Sequence, residues 1–295
     1  MKTEFNVDAH FVIGKMHHEQ NKPCQDHTLA AMYQGVGLLS VSDGCSSGGN
    51  TDIGSRIITC AAMMTLREYI DYGTSNVLHL STPIIIDTKI KNRINHSRSL
   101  LGLQSRDMYA TCLYAIVTQE GGFVHLLGDG HIVLQYHDGA IVIYSTHWNN
   151  NEPFYPAYKS EGLDHFINDH LIIDKGLRSL TIQETKILSD GVITSSKQTK
   201  STQEGIEGFS IFLSEEDIVN KIKCLAIVSD GLDSFHGPLS KVEALSVIPH
   251  LLAFKSWKGD FVKRRLSRFL TDSAKQNIFP GDDLSYAVLH VNTIT

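Results

Sequence analysis

Residues 38–44 read LLSVSDG, and the same pattern returns at residues 225–231 as LAIVSDG. In both stretches an apolar run ends in an aspartate, Asp43 or Asp230, and glycine follows at once. A continuous apolar run of this length is typical of a β-strand that is buried on both faces. Each aspartate is therefore predicted at the end of a buried strand, where a rigid scaffold holds its carboxylate.

Three further aspartates stand beside predicted strands. They are Asp129 in GDG at 128–130, Asp26 in PCQD at 23–26 and Asp282 in GDD at 281–283. Carboxylates that converge in this way repel one another unless a cation lies among them. Hard oxygen ligands without histidine or cysteine favour Mg²⁺ or Mn²⁺ over zinc. The set therefore indicates a site for a hard divalent cation.

An Asp-Gly pair is also the commonest hairpin turn, and a turn needs no metal. The pairs at Asp138 and Asp190 fit that interpretation, because each joins two short strands with polar neighbours. Asp129 is compatible with either interpretation. Asp43 and Asp230 differ because neither is followed by a matching second strand.

The remaining pattern indicates an α+β layered protein of two sheets with flanking helices. Helices are predicted over 51–72, with Gly73 as the stop, from Thr82 onward, and over 241–254 and 260–275. Strands are predicted at 5–13, 28–33, 36–42, 109–118, 122–127, 132–136, 140–144, 209–213, 224–229 and 284–291, with a short hairpin at 185–195. No repeat or linker divides the chain, which favours a single domain over 1–295. Residues 145–220 are a candidate flap or insertion, because the pattern at the start of this segment is irregular and rich in aromatic residues.

Composition narrows the classes of function. A formal net charge of -6 argues against general nucleic-acid binding, which needs a basic surface. The five cysteines form no C-x-x-C pair, which argues against a disulfide framework or a thiolate zinc site. No apolar signal segment opens the chain, and no run approaches the roughly 20 apolar residues of a membrane helix. We therefore expect a cytoplasmic protein with no membrane partner.

In their order, the motifs resemble the type 2C (PPM) family of metal-dependent protein phosphatases. The matching segments are Gln25-Asp26, Val41-Ser42-Asp43-Gly44, Gly128-Asp129-Gly130, Val228-Ser229-Asp230-Gly231 and Asp282-Asp283-Leu284-Ser285. Gly14-Lys15-Met16-His17, the PCQD segment and Asp52-Ile53-Gly54 resemble a bacterial branch of that family. In that branch Pro-Cys-Gln-Asp replaces the usual Asn-Glu-Asp.

The resemblance implies a four-layer αββα sandwich of two antiparallel sheets flanked by helices. It also implies two Mn²⁺ or Mg²⁺ ions at one edge between the sheets, with a third, weaker site. Asp43 would bridge both ions, the carbonyl of Gly44 would bind one, and Asp230 and Asp282 would hold one. Asp26 would act mainly through water, and Asp129 would correspond to the third site.

The implied activity is hydrolysis of phosphoserine or phosphothreonine in proteins. Two cations about 3.5–4 Å apart lower the pKa of a shared water and clamp the phosphoryl oxygens during in-line attack. The resemblance implies that a metal-bridging hydroxide is the nucleophile, with Asp43 and Asp230 as catalytic residues. It also implies a phosphorylated protein as the substrate and a Ser/Thr kinase as the opposing enzyme.

The sequence departs from the family at two places. Many members have histidine directly after Asp-Gly, where it is proposed to protonate the leaving alcohol; this chain has Cys45, which we interpret as a small packing residue. The usual phosphate-binding arginine before the first motif has no counterpart. The available cations are His17, our first choice, and Lys15, Lys22 and Arg56.

Two other classes of function remain open at this point. A pseudophosphatase could keep the fold and bind a phosphorylated partner, although retained aspartates would be costly without a cation. A hydrolase with histidine-bound zinc could use some of the 15 histidines. His17-His18-Glu19 lacks the i, i+4 spacing of a zincin, which disfavours the zinc hypothesis. Metal content and turnover together would separate the three classes.

Overall fold

The computed structural model of the protein describes residues 2–72, 79–164, 166–167 and 178–294. Two antiparallel sheets face each other across a shared core, and helices cover the outer side of each sheet. This arrangement confirms the predicted α+β class and its four-layer αββα order.

The described residues contain fourteen strands. They are β1 Lys2–Val12, β2 His27–Tyr33, β3 Val36–Ser42, β4 Cys112–Thr118, β5 Gly121–Leu127, β6 Gly130–Tyr136, β7 Ile141–Trp148, β8 Ser179–Ile187, β9 Ile193–Ser201, β10 Phe209–Ser214, β11 Ile222–Val228, β12 Phe235–His236, β13 Phe279–Pro280 and β14 Leu284–Ile294. The larger sheet has the order β1-β14-β11-β6-β7-β8-β9, and the smaller has the order β10-β5-β4-β3-β2. The short strands β12 and β13 pair with each other.

Six α-helices are described from end to end. They are α1 Lys15–Glu19, α2 Thr51–Asp71, α3 Thr82–Leu101, α4 Thr202–Gly205, α5 Ala244–Leu251 and α6 Phe261–Ala274. Helices α2 and α3 pack on the outer face of the smaller sheet, and α5 and α6 pack on that of the larger sheet. None of the helices in the described ranges is long and apolar enough to cross a membrane.

Strand β11 shows why its apolar run lacks the alternation of a half-exposed strand. Leu225 and Ile227 point into the core between the sheets. Ala226 and Val228 point the other way, into the core beneath α5 and α6. Because successive side chains face opposite sides of a strand, burial on both faces requires apolar residues at every position. The prediction from the LAIV run is confirmed.

Several predicted boundaries were wrong. The predicted helix over 241–254 is shorter, Ala244–Leu251, and the predicted strand over 109–118 begins at Cys112. The short hairpin predicted at 185–195 is the end of a longer pair, β8 with β9. Strand β9 is exposed and polar along most of its length, so backbone pairing with β8 defines it and no hydrophobic pattern marks it. The predicted helix stop at Gly73 lies outside the described residues.

Residues 145–220 contribute strands to both sheets. The end of β7, together with β8 and β9, extends the larger sheet, and β10 forms an edge of the smaller one. The aromatic residues before β8 form a cluster with ring centroids 5.0 to 6.4 Å apart. Its members are Trp148, Phe154, Tyr158 and Phe166. Part of this segment, 165 and 168–177, lies outside the described residues, and the flap hypothesis stays a prediction.

Candidate metal centre

The register of the strands brings the predicted aspartates to one edge of the sandwich. His27 pairs with Ser42, so Asp26 and Asp43 are neighbours at the end of the smaller sheet. In the larger sheet Val228 pairs with Tyr286, which places Asp230 beside the start of β14 and near Asp282. Asp129 joins β5 to β6, which belong to different sheets, so its Asp-Gly pair is a crossover and not a hairpin turn. All five predicted carboxylates therefore lie along the same edge.

Burial, together with repulsion between neighbouring aspartates, raises the pKa of three carboxylates of the centre. Desolvation is the main cause of the raised pKa of Asp43, and the nearby charges of Asp230 and Asp26 add to it. The pKa values of Asp129 and Asp230 are also raised, again chiefly by desolvation and then by neighbouring aspartates. A raised carboxyl pKa means that the charged form is disfavoured where it stands. A divalent cation among these oxygens would stabilise the charged carboxylates and so lower their pKa values.

Asp26 is fully buried and only partly satisfied. Its Oδ2 accepts a hydrogen bond of 2.7 Å from the Ser229 hydroxyl, which in turn accepts one of 3.0 Å from the Ser285 amide. Its Oδ1 has no hydrogen-bond partner among the described residues. Burial raises the pKa of Asp26 to about 7. A buried oxygen without a partner, surrounded by other carboxylates, fits a hard cation or its bound water.

The backbone around Asp43 is fixed in place. Its amide donates a hydrogen bond of 2.9 Å to the Thr111 hydroxyl, and its carbonyl accepts one of 2.8 Å from the Thr111 amide. A Cβ on Gly44 would lie 2.8 Å from the carbonyl oxygens of Gln25 and Thr51. Glycine is therefore required here by close backbone packing. Both Asp43 and Asp230 are half-buried, so the centre remains open to solvent.

The profile of the protein phosphatase 2C family matches residues 13–271, which is most of the chain. The chain belongs to this family. Members of the protein phosphatase 2C family depend on metal ions, and the donor set described above suits that requirement. The comparison with curated protein sequences found no match.

Solved structures of protein phosphatases share the fold. One is the crystal structure of a bacterial serine phosphatase, with a TM-score of 0.55 and 11% identity, covering 98% of each chain. Another is the serine/threonine phosphatase Stp1 from Staphylococcus aureus, with a TM-score of 0.54 and 12% identity, covering 97% of this chain and 94% of that one. At these identities the likeness shows the fold alone.

Within this protein phosphatase 2C chain, Asp283 connects the N-terminal loop to the centre. Its carboxylate accepts hydrogen bonds of 2.6 Å from the amides of Gly14 and Gln25, and it lies 2.9 Å from His17 Nδ1. A Cβ on Gly14 would lie 2.1 Å from the backbone carbon of Asp282, so only glycine permits this approach. The sequence analysis quoted Asp283 in a motif but did not predict this role.

His17, predicted to bind phosphate, is buried at the rim of the centre. Besides its contact with Asp283, its Nδ1 lies 3.7 Å from Asp282 Oδ1. Because Nδ1 faces these carboxylates, only Nε2 could reach a phosphate. The other candidate cations contact different groups: Lys15 Nζ lies 3.7 Å above the Phe279 ring, and Arg56 donates to the Asp52 carbonyl at 3.4 Å.

Cys45 is half-buried and lies in the loop after Asp43. Its sulfur is 3.1 Å from the Ser47 hydroxyl, and its amide donates to the Tyr109 carbonyl at 2.8 Å. The Tyr155 side chain lies near Cys45; burial raises the pKa of its phenol, and nearby Cys45 and Asp129 raise it further. No motif in the sequence marks Tyr155, so the sequence analysis missed it.

A histidine and carboxylate pair next to the centre was also missed. His131 Nε2 lies 3.1 Å from Asp233 Oδ2, and its Nδ1 lies 2.8 Å from the Ser145 hydroxyl. His131 follows the Gly128-Asp129-Gly130 crossover directly. Its position directly after this motif was the only sequence signal that could have identified His131.

The two aspartates assigned to hairpin turns are confirmed as turn residues. Asp138 accepts a 2.9 Å hydrogen bond from the Ala140 amide between β6 and β7. Asp190 accepts one of 3.0 Å from the Val192 amide between β8 and β9. Both are exposed. They serve as matched controls for the aspartates of the centre.

Proposed function

We propose that this member of the protein phosphatase 2C family is a serine/threonine protein phosphatase that hydrolyses phosphomonoesters with two Mn²⁺ or Mg²⁺ ions. The observation that carries the proposal is the convergence of Asp26, Asp43, Asp129, Asp230 and Asp282 on one edge of the sandwich. The raised pKa values of Asp26, Asp43, Asp129 and Asp230 indicate a surplus of negative charge that a cation would neutralise. The half-buried positions of the central pair leave room for a substrate to approach.

In this proposal Asp43 would be a ligand for both ions, and the Gly44 carbonyl would be a ligand for one of them. Asp230 and Asp282 complete the ligand set of one ion, and Asp26 acts through water. Asp129 corresponds to a third, weaker site. When bound, the cations supply water activation and neutralise the phosphoryl oxygens.

The chain's own groups orient these ligands. The Ser229 hydroxyl holds Asp26, and Thr111 holds the backbone of Asp43. Asp283 accepts from two amides and contacts His17, which keeps the N-terminal loop against Asp282. Such supporting contacts hold catalytic carboxylates in a productive geometry. We propose His17 Nε2 as the first candidate for a phosphate contact.

The substrate class we propose is phosphoserine or phosphothreonine in proteins, with a Ser/Thr kinase as the opposing enzyme. The family and the names of its structural neighbours support this choice. We further propose a single domain over 1–295, because strands from residues 145–220 enter both sheets. On the evidence of its PCQD motif, we propose that the chain belongs to a bacterial branch of the family. We also propose a cytoplasmic location, because five free cysteines suit a reducing compartment.

The test is hydrolysis of an aryl phosphate and of a phosphothreonine peptide, with Mn²⁺ and with a chelator. We expect turnover with the metal and none with the chelator. Asp43→Asn and Asp230→Asn should each lower turnover by orders of magnitude, while Asp138→Asn and Asp190→Asn should leave it unchanged. Metal binding without turnover would support the pseudophosphatase instead, and full turnover in excess chelator would contradict the two-metal mechanism.

A further inference from the structure

A basic cavity lies where the loop after α5 meets α6. Its volume is about 200 Å³, and its lining includes Lys255, Arg264, Arg265 and Arg268. Residues 253–268 contain six lysines and arginines but one acidic residue, in a chain whose net charge is -6. The cavity is therefore a local positive region on an acidic protein.

The cations are concentrated on one side of α6. Phe261, Arg264, Arg265 and Arg268 stand at i, i+3, i+4 and i+7, which places them on a single helical stripe. Like charges at this spacing destabilise a helix slightly. Among the described residues, the ion pair made by the cavity's cations is Arg268 with Asp272, at 3.9 Å and with both side chains exposed. Arg264 also donates to the Lys258 carbonyl at 2.5 Å, and Arg265 donates to the His250 carbonyl. Because these acceptors carry no net charge, the positive charge stays available to an external anion.

The cavity also has an apolar side. The half-buried Phe254 supplies this apolar surface. Its ring contacts Phe261, which is buried beneath the cavity, with centroids 5.2 Å apart, and both rings contact Trp257. Trp257 stacks on His290 of β14 at 3.9 Å, which fixes the loop to the larger sheet. A partner that fits this surface would therefore place an apolar side chain among anionic groups.

We propose that this cavity binds an acidic segment of a partner protein, with an apolar side chain seated against Phe254 and carboxylates paired with Arg264, Arg265 and Arg268. Nucleic acid and anionic membrane fit less well, because they are extended polyanions and the rest of the chain is net negative. A short segment of protein contacts only the local positive region. The cavity volume suits one side chain.

The site is separate from the metal centre. Asp282 and Asp283 lie at the start of β14, and His290, under Trp257, lies seven or eight residues further along. At about 3.3 Å per residue, that is about 25 Å of strand. The proposal therefore does not depend on the proposed phosphatase activity, and the two can be tested apart.

The test measures how the full chain binds a fluorescein-labelled peptide, with fluorescence anisotropy as the readout. The peptide consists of aspartates and glutamates around a central leucine. We expect saturable binding that weakens as salt is raised and as leucine is replaced by serine. The double variant Arg264→Glu/Arg268→Glu should bind more than tenfold more weakly. A control with the same charge change at exposed sites elsewhere, Arg67→Glu/Lys197→Glu, should bind like wild type.

Circular dichroism and aryl-phosphate turnover of each variant show that folding and the metal centre are intact. No binding by wild type, or equal losses in both double variants, would overturn the proposal. So would a preference for phosphatidylserine vesicles or an oligonucleotide over the peptide, because the occupant would then be of another class.

Discussion

The substitution Asp43→Asn should change the stability of this protein in opposite directions with and without metal. Asparagine has nearly the same shape as aspartate but carries no charge. In the metal-free protein it removes a carboxylate whose pKa is raised by desolvation and by Asp230 and Asp26. We therefore expect the metal-free variant to be more stable than wild type, although it has lost the central ligand.

The magnitude follows from the charges. Two unit charges about 4 Å apart repel by ~4 kcal/mol at an effective dielectric constant of 20. Because Asp43 and Asp230 are half-buried, solvent screening reduces this to about 1–2 kcal/mol. In a chain of 295 residues that corresponds to a rise in Tm of roughly 2–3 °C. The difference should grow as pH rises, since a carboxyl with a raised folded pKa destabilises the folded state once it ionises.

Metal should reverse the order of the two proteins. A ligand at a hundred times its Kd stabilises the folded state by about 2.7 kcal/mol, or roughly 4 °C in Tm here. Wild type should gain this amount and Asp43→Asn much less. The assay is thermal unfolding at pH 8 in chelator and in excess Mn²⁺, with Asp138→Asn as the control that follows wild type. If Asp43→Asn is less stable than wild type in chelator, or gains as much from Mn²⁺, the electrostatic reasoning is wrong.

Three other predictions concern single side chains. His17→Ala should raise KM several-fold, by about 1 kcal/mol for one lost hydrogen bond, and change kcat less; KM values equal to wild type across pH 6–9 would exclude His17 from phosphate binding. Cys45→Ser and Cys45→Ala should keep most turnover, and a large loss in either would contradict a packing role. Burial lowers the pKa of His290 to about 4, below its ordinary value of 6.5, so the unfolded state takes up the proton first. The wild-type protein should thus lose stability as pH falls from 6.5 towards 4. The variant His290→Phe keeps a ring stacked on Trp257 and has no such proton to take up. Urea unfolding at pH 7 and pH 5 should therefore show a smaller loss of stability in the variant than in wild type.

Local sequence patterns were sufficient to predict the strands that end in aspartate. The run from Leu225 to Val228 predicted a strand buried on both faces, because each position must face one of two cores. Strand β9 had no such pattern, because its exposed residues are paired only through the backbone. The helix over 241–254 was predicted too long because a local pattern does not locate the residue at which tertiary contacts end.

What the sequence determined by itself was the set of aspartates at strand ends, the α+β class and the resemblance to the protein phosphatase 2C family. Tertiary structure alone decided which groups meet around them. Asp26 and Ser229 are 203 positions apart, and Asp283 and Gly14 are 269 apart, yet each pair shares a hydrogen bond. Tyr155 reaches Cys45 from a segment with no recognisable motif. Hydrophobic periodicity is a local property of the chain, whereas such contacts depend on strand register and on how the two sheets face each other, which no local pattern encodes.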